Sequence, residues 1–369
     1  MRILMYARSL SPEGGTEISS AQIAKALSQR GNAVDLLYES GGDLLSEYRS
    51  FCQSVTRAHL SIEKLSLRDG ARITPAVVAG IRRRPDVIYM HTFRDVVCGR
   101  LTGRLTHASV VCHLRDVFHD AATRRLARWA DRYIAVSAAT RDAWVDYGLD
   151  GDRIDVVHSG IDPAMYPAGD SIQRLEARQA LGIPAHLFVA VYYGRLDVDK
   201  GIDVLLDAWG RLGMPVDEGR LVLQGRPVLA RDPDAYLREL QGRAPEGCQW
   251  FPMRDDVITV LHAADVVVLP SVTEGLSRTV LEGMASGRPV VASRVGGVPE
   301  ILTGSFERFL FDSGDAVGLA ERLASVVGWQ QDEPQLGLEC TRHICAHFSL
   351  SGMAEKVDEI LRGEVDRRS

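Results

Sequence analysis

The chain has 369 residues, more than one hydrophobic core usually organises, so two domains are expected. Its residues are 46% hydrophobic and 25% charged, a balance that packs cores and excludes a disordered or low-complexity chain. A formal net charge of −6 disfavours a general nucleic-acid binder, because displacing counterions from phosphates needs a basic surface.

The opening run Ile3-Leu4-Met5-Tyr6-Ala7 reads as a buried strand, and the first ten residues lack the basic, apolar and small-residue sections of a signal peptide. A loop with Gly14 and Gly15 leads into an amphipathic helix carrying Ile18, Ala21, Ala24 and Leu27, which Gly31 ends. Val34-Asp35-Leu36-Leu37-Tyr38 resumes a strand. Apolar runs at 87–90, 110–112, 133–136 and 154–157 then alternate with helical stretches, the pattern of a parallel sheet covered on both faces. Across 163–182 the strand signal lapses into polar, Pro- and Gly-bearing sequence, and the domain change is placed there, with a first domain over 1–168 and a second over 169–348. The run Leu187-Phe188-Val189-Ala190-Val191-Tyr192-Tyr193 opens a second series, followed by 221–223, 266–269 and 290–292. The architecture expected is α/β, two Rossmann-like domains facing each other across a cleft, since strand ends of such sheets point their loops into a common crevice.

Scattered Cys52, Cys98, Cys112, Cys248, Cys340 and Cys345 read as reduced, mostly buried thiols, and no apolar run reaches the roughly 20 residues that span a bilayer. Both point to a cytoplasmic protein. Cys340, His343, Cys345 and His347 lack a recognised zinc spacing, and no metal is expected. Arg124, Arg125, Arg128 and Arg132 can share one helical face; a solvated face is the stronger reading, and docking to anionic lipid headgroups the weaker one.

The strongest chemical signal is the run from Thr273 to Gly287, where a buried strand ending in Leu269-Pro270-Ser271 runs into a helix. If Ser277 caps that helix, free N–H groups near its start form an anion site with the helix dipole behind them. Glu282, just over one turn inside, can accept hydrogen bonds from both hydroxyls of a ribose diol, while Glu274 on the loop can face a transferred sugar. Two solvated acids would be the bland reading of such a pair; the glycines of Val295-Gly296-Gly297-Val298-Pro299-Glu300 downstream argue for close backbone approach instead.

With its two acids seven residues apart, the segment resembles the retaining nucleotide-sugar transferases of glycosyltransferase family 4, and the resemblance extends through Tyr193-Gly194-Arg195-Leu196-Asp197-Val198-Asp199-Lys200-Gly201, through Val156-Val157-His158-Ser159-Gly160 and to the late Phe348-Ser349. It implies a GT-B fold and a terminal helix over 349–369 that returns to the first domain. It also implies transfer with retention from a nucleotide diphosphate sugar, UDP-sugar favoured and GDP-sugar second, to a hydroxyl acceptor such as a glycan, a lipid-linked intermediate or a small natural product. On the same footing Arg195 and Lys200 hold the diphosphate, Glu282 binds ribose, and Glu274 with Gly275, Leu276, Ser277 and Thr279 lies against sugar and phosphate. Gly194, Met253 and Arg254 complete the donor contacts, and Gly15 approaches the donor from the first domain. His113, at a strand end, is implied near the transferred sugar, with His91 competing for that role. Catalysis would then fall to His113, Arg195, Lys200 and Glu274, without metal or cofactor.

Ser159, where the family often has asparagine, and the unusual glycine segment Leu223-Gln224-Gly225-Arg226-Pro227 depart from the pattern. A nucleotide-sugar epimerase and a non-catalytic nucleotide-sugar-binding protein are the alternatives. The absence of a G-x-G-x-x-G loop after the first strand disfavours a dinucleotide oxidoreductase.

Overall fold

Strands covered on both faces need apolar residues at every position, and the continuous apolar runs become such strands. The computed structural model describes residues 1–12, 15–60, 67–93, 95–117, 121–254 and 256–368. Its two compact units are Met1–Gly160 with Leu350–Ser369, and Ile161–Ser349.

In the first unit β1 (Arg2–Ser9), β2 (Ala33–Ser40), β3 (Ser54–Arg57), β4 (Val87–Met90), β5 (Ser109–Leu114), β6 (Arg132–Ala135) and β7 (Ile154–Val156) form a 7-stranded sheet in the order β3-β2-β1-β4-β5-β6-β7. Its neighbours all run parallel. The helix Gly15–Gln29 buries Ala21, Ile23, Ala24 and Leu27, and the chain leaves it through Gly31 at φ 83°. The helix Leu350–Asp366, which lies within the terminal stretch 349–369 expected to be helical, sends Met353, Ala354, Val357 and Leu361 into the same core as Ile3 and Met5. Asn32 Nδ2 donates to Asp358 Oδ1 at 2.8 Å and ties this helix to the start of β2.

The second unit repeats the plan with β8 (Phe188–Arg195), β9 (Gly219–Arg226), β10 (Cys248–Phe251), β11 (Val266–Leu269), β12 (Val290–Ser293) and β13 (Leu310–Phe311), in a parallel 6-stranded sheet ordered β10-β9-β8-β11-β12-β13. Strand order therefore reverses between β8 and β11. The unit begins at Ile161, earlier than position 169, because Ile161 bridges to Ser349 and Tyr166 reaches Glu282. The stretch read from sequence as a lapse contains the helix Ser171–Ala180, held by a capping box in which the Asp170 carboxylate accepts from the Ile172 and Gln173 amides and the Gln173 side chain accepts from the Asp170 amide.

The basic face suggested by four arginines does not form. The helix Ala121–Ala127 ends before Arg128, and Arg132 opens β6 with its guanidinium paired to Asp155 at 2.7 Å. Arg124 lies over the Tyr147 ring at 3.7 Å. No helix among the described residues is long and apolar enough to cross a membrane.

Candidate active site

Ligand crevices of doubly wound sheets open where strand order reverses, at the carboxyl ends of the strands. In the second unit that place is defined by the loops after β8 and β11, and the two loops touch through backbone. Gly201 sits at φ 62°, and a Cβ there would overlap the Pro270 carbonyl oxygen. The Val272 amide donates to the Asp199 carbonyl at 2.9 Å. From the other side Gly296, at φ 49°, lies so close to the Glu274 carbonyl that a Cβ would overlap it, and the Gly297 amide donates to the Gly275 carbonyl at 2.9 Å. Glycine at both positions is thus required by conformation and by space.

These contacts bring Lys200 to Glu274. The Lys200 ammonium donates to Glu274 Oε1 at 2.8 Å, and the Ser271 hydroxyl donates to the same oxygen at 2.8 Å. Arg195, at the end of β8, pairs with Asp197 through Nη1 and with Asp199 through Nη2 at 3.2 Å. Lys200 Nζ stands 3.6 Å from the same Asp199 oxygen. Asp197 is buried, and its second oxygen accepts from the Val228 and Leu229 amides, each at 2.8 Å. Arg195 and Lys200 therefore do meet the neighbouring acids that the sequence places beside them. They still keep 25% and 17% of their side-chain surface exposed, enough to meet a further anion.

Ser277 occupies the N-cap of the helix Arg278–Ala285 but, contrary to the capping role expected of it, its hydroxyl makes no capping hydrogen bond. Its φ of −76° and ψ of 120° turn the chain into the helix without engaging the first amides. Leu276 is buried, and the Thr279 carbonyl oxygen lies 3.4 Å from the Tyr193 hydroxyl oxygen.

Glu282 is only 7% exposed and is held by three side chains that the sequence reading did not assign. Tyr166 donates to Oε1 at 2.9 Å, Arg278 Nη2 lies 2.9 Å from the same oxygen, and Tyr193 donates to Oε2 at 3.0 Å. Burial, with the Glu282 carboxylate adding to it, pushes the Tyr193 hydroxyl well above its ordinary pKa, so it remains a donor. Burial alone would lower the Arg278 pKa, but Glu282 and Tyr166 beside it carry the net shift upward. Arg278 was legible as the i,i+4 partner of Glu282; Tyr166 lies 116 residues away in sequence and was not.

The other donor-side expectations are more dispersed. Gly194, at φ 139°, precedes Arg195, and a Cβ on Gly225 of β9 would overlap its carbonyl. Met253, 39% exposed, and Arg254, over the Phe251 ring at 5.5 Å, follow the edge strand β10, two strands from β8. Gly15 is the exposed first residue of its helix in the first unit, and Gly14 lies outside the described residues.

In the first unit the register Met90↔Cys112 sets His91 beside His113. Their rings stack with centroids 5.6 Å apart. His113 Nδ1 shares a 2.6 Å hydrogen bond with the Tyr89 hydroxyl. His91 Nδ1 accepts from Arg115 Nε at 3.3 Å, and since a guanidinium only donates, neutral His91 carries its proton on Nε2. Burial, then the Arg115 charge, holds both imidazoles well below the usual histidine pKa. Nε2 of each ring is buried and has no partner among the described residues, an arrangement that suits a ligand hydroxyl. The geometry thus qualifies His91 and His113 alike.

Among the described residues no group of three or more potential ligands could hold a metal ion. Cys340 is buried, Cys345 is exposed, and His343 Nε2 is engaged by the Ile301 carbonyl at 2.8 Å. All six cysteines are free thiols.

Residues 13–165 match the model of Glycosyltransferase Family 4, and residues 188–328 that of Glycosyl transferases group 1, so the matches reach into both units. The chain is 26% identical to a D-inositol 3-phosphate glycosyltransferase of Corynebacterium diphtheriae, over 98% of this chain and 94% of that protein. With the enzyme of the same name from Mycolicibacterium vanbaalenii identity rises to 34%, over 58% of this chain and 48% of the relative. Anabaena HepE, solved with UDP and glucose, superimposes with a TM-score of 0.85 at 23% identity, covering 98% and 99% of the two chains. Sucrose-phosphate synthase from Thermosynechococcus elongatus follows the same fold at a TM-score of 0.80 and 18% identity, over 100% of each. The chain belongs to the family 4 glycosyltransferases and has the GT-B fold of two Rossmann-like domains.

Proposed function

We propose that this glycosyltransferase takes its sugar from a nucleotide diphosphate donor, UDP-sugar before GDP-sugar, and transfers it with retention to a hydroxyl acceptor. The observation that carries the donor half is the meeting of Arg195, Lys200 and Glu274 at the strand ends where β8 and β11 adjoin. As the glycosidic bond breaks, negative charge gathers on the leaving diphosphate; Arg195, Lys200 and the start of the helix Arg278–Ala285 are the groups that stabilise it. To do so the two cations exchange the carboxylates of Asp199 and Glu274 for phosphate oxygens, which leaves Glu274 for the sugar. Glu282 receives the ribose, and Met253 and Arg254 lie farther along the donor. The buried Nε2 atoms of His113 and His91 suit hydrogen bonds to a sugar or acceptor hydroxyl from the first unit. With cations already in place, no metal is required for the charge.

Retention is assigned to same-face transfer, in which a donor phosphate oxygen takes the acceptor proton while the protein positions the reactants. The UDP complexes of Anabaena HepE support uridine, and relatives named for D-inositol 3-phosphate make a phosphorylated cyclic polyol the first acceptor to screen. Calorimetry with UDP, GDP and ADP in the presence of a chelator tests the donor. Selective binding that Glu282→Ala weakens about tenfold or more supports it; failure of all three at millimolar concentration removes it. Product analysis by NMR, with the anomeric configuration compared between donor and product, tests retention.

A further inference from the structure

An ionised carboxylate offers about four lone-pair sites, about two on each oxygen. On Glu282 Oε1, Tyr166 and Arg278 occupy both, with Arg278 approaching through Nε at 3.1 Å and Nη2 at 2.9 Å. Oε2 receives the Tyr193 hydroxyl at 3.0 Å. The tyrosine is buried at 6% exposure inside β8, so close packing around the ring holds the phenol in place. Among the described residues' donors, one lone pair, on Oε2, is left.

A ribose diol brings two hydroxyls. We infer that Tyr193 is a specificity-determining positioning residue that restricts Glu282 to accepting one ribose hydroxyl instead of two. The inference rests on the nucleoside diphosphate reading above. Tyr193 acts through Glu282, by filling a site that a second ribose hydroxyl would otherwise take. Tyr166 and Arg278 on Oε1 fix the carboxylate plane and so determine which direction the remaining lone pair faces. Recognition of the sugar ring of the nucleoside is consequently lopsided: one hydroxyl is read by charge-assisted hydrogen bonding, and the other is not read by this residue.

The test compares UDP with 2′-deoxy-UDP and 3′-deoxy-UDP by calorimetry, or the corresponding guanosine set if the donor panel selects GDP. For the native protein one deoxy form should bind within about threefold of the parent, and the other about tenfold or more weaker, the loss expected for one hydrogen bond to a charged group. In Tyr193→Phe, which keeps the ring and removes the competing hydroxyl, a second site opens on Oε2 and both deoxy forms should fall about tenfold or more below the parent. Equal penalties for the two deoxy forms in the native protein, or an asymmetry that survives Tyr193→Phe, overturns the inference while leaving the donor reading intact. Failure of every nucleoside diphosphate to bind overturns both. The native comparison needs no variant and decides the first arm alone.

Discussion

Asp199 is the residue whose charge works against the proposed ligand. Its Oδ2 lies 3.2 Å from Arg195 and 3.6 Å from Lys200, so a diphosphate arriving at those cations must replace it. The carboxylate is 32% exposed, and water screens it, which limits such a pair to about 1 kcal/mol. Asp199→Asn should therefore tighten UDP up to about fivefold in calorimetry; unchanged or weaker binding would mean that the acid orients the cations more than it competes for them. His91 and His113 set the pH response at the same scale. Their folded pKa values are lowered, so the unfolded chain binds more protons as pH falls, and stability that is full above about pH 6.5 is lost below it. The loss is about 1.4 kcal/mol per histidine for each pH unit while the folded ring stays neutral. Chemical denaturation of the first unit between pH 7.5 and 5.5 should show that slope, and His113→Gln should remove about half of it. An identical slope in the variant would show that the titration lies elsewhere.

At the scale of elements, the second unit depends on Asp265, the residue that leads into β11. Its carboxylate accepts from Arg178 at 2.8 Å, Arg174 at 2.5 Å, Gln330 at 2.6 Å and the Val189 amide at 2.8 Å, which fastens the helices Ser171–Ala180 and Trp329–Asp332 to β8. Arg178 is almost wholly buried and spends its other donors on the Ala263, Ala185 and Leu187 carbonyls. Removing one partner strands a buried charge, so Asp265→Ala should cost about 3–5 kcal/mol, read as a fall in the urea midpoint. A change under about 1 kcal/mol would mean that water replaces the carboxylate. None of this network is legible in sequence, because its members are distant in the chain and individually ordinary. The central strands were legible: burial on both faces demands uninterrupted runs such as Val266-Val267-Val268-Leu269, and the chain shows them. The edge strands β3 and β10, with no fully buried residue, have no such run to announce them, and β13 is two residues long. In the candidate site, Glu274 and Glu282 could be found from their places on the loop and helix after a buried strand, and Arg195 and Lys200 from the resemblance to family 4. Tyr166 and Tyr193 could not be assigned, since a buried tyrosine reads as core until its hydroxyl's partner is known.

For the molecule as a whole, the chain order matters more than either sheet. The first unit is completed by the last residues of the chain, and the second is built entirely from the segment between. The helix Leu350–Asp366 contributes Met353, Val357 and Leu361 to the core beneath β1, each at most 3% exposed. Burial of such a side chain stabilises by about 1.5–3 kcal/mol, so the three together supply roughly 4.5–9 kcal/mol. A domain's whole margin is only about 5–15 kcal/mol, which makes their loss decisive. Ending the chain after Ser349 also strips Asn32 of its Asp358 partner and bares the apolar face over Ile3 and Met5. The truncated chain should therefore lose the cooperative unfolding of the first unit and bind a hydrophobic dye. The second unit keeps all its strands and the pairings of Arg195, Lys200, Glu274 and Glu282, so the segment 161–349 expressed alone should fold and hold UDP. Two transitions in the full chain's calorimetric scan, only one of them surviving in 161–349, would agree with that division. A single transition abolished by the truncation would mean that the second unit needs the first to fold, and donor binding would then vanish together with it.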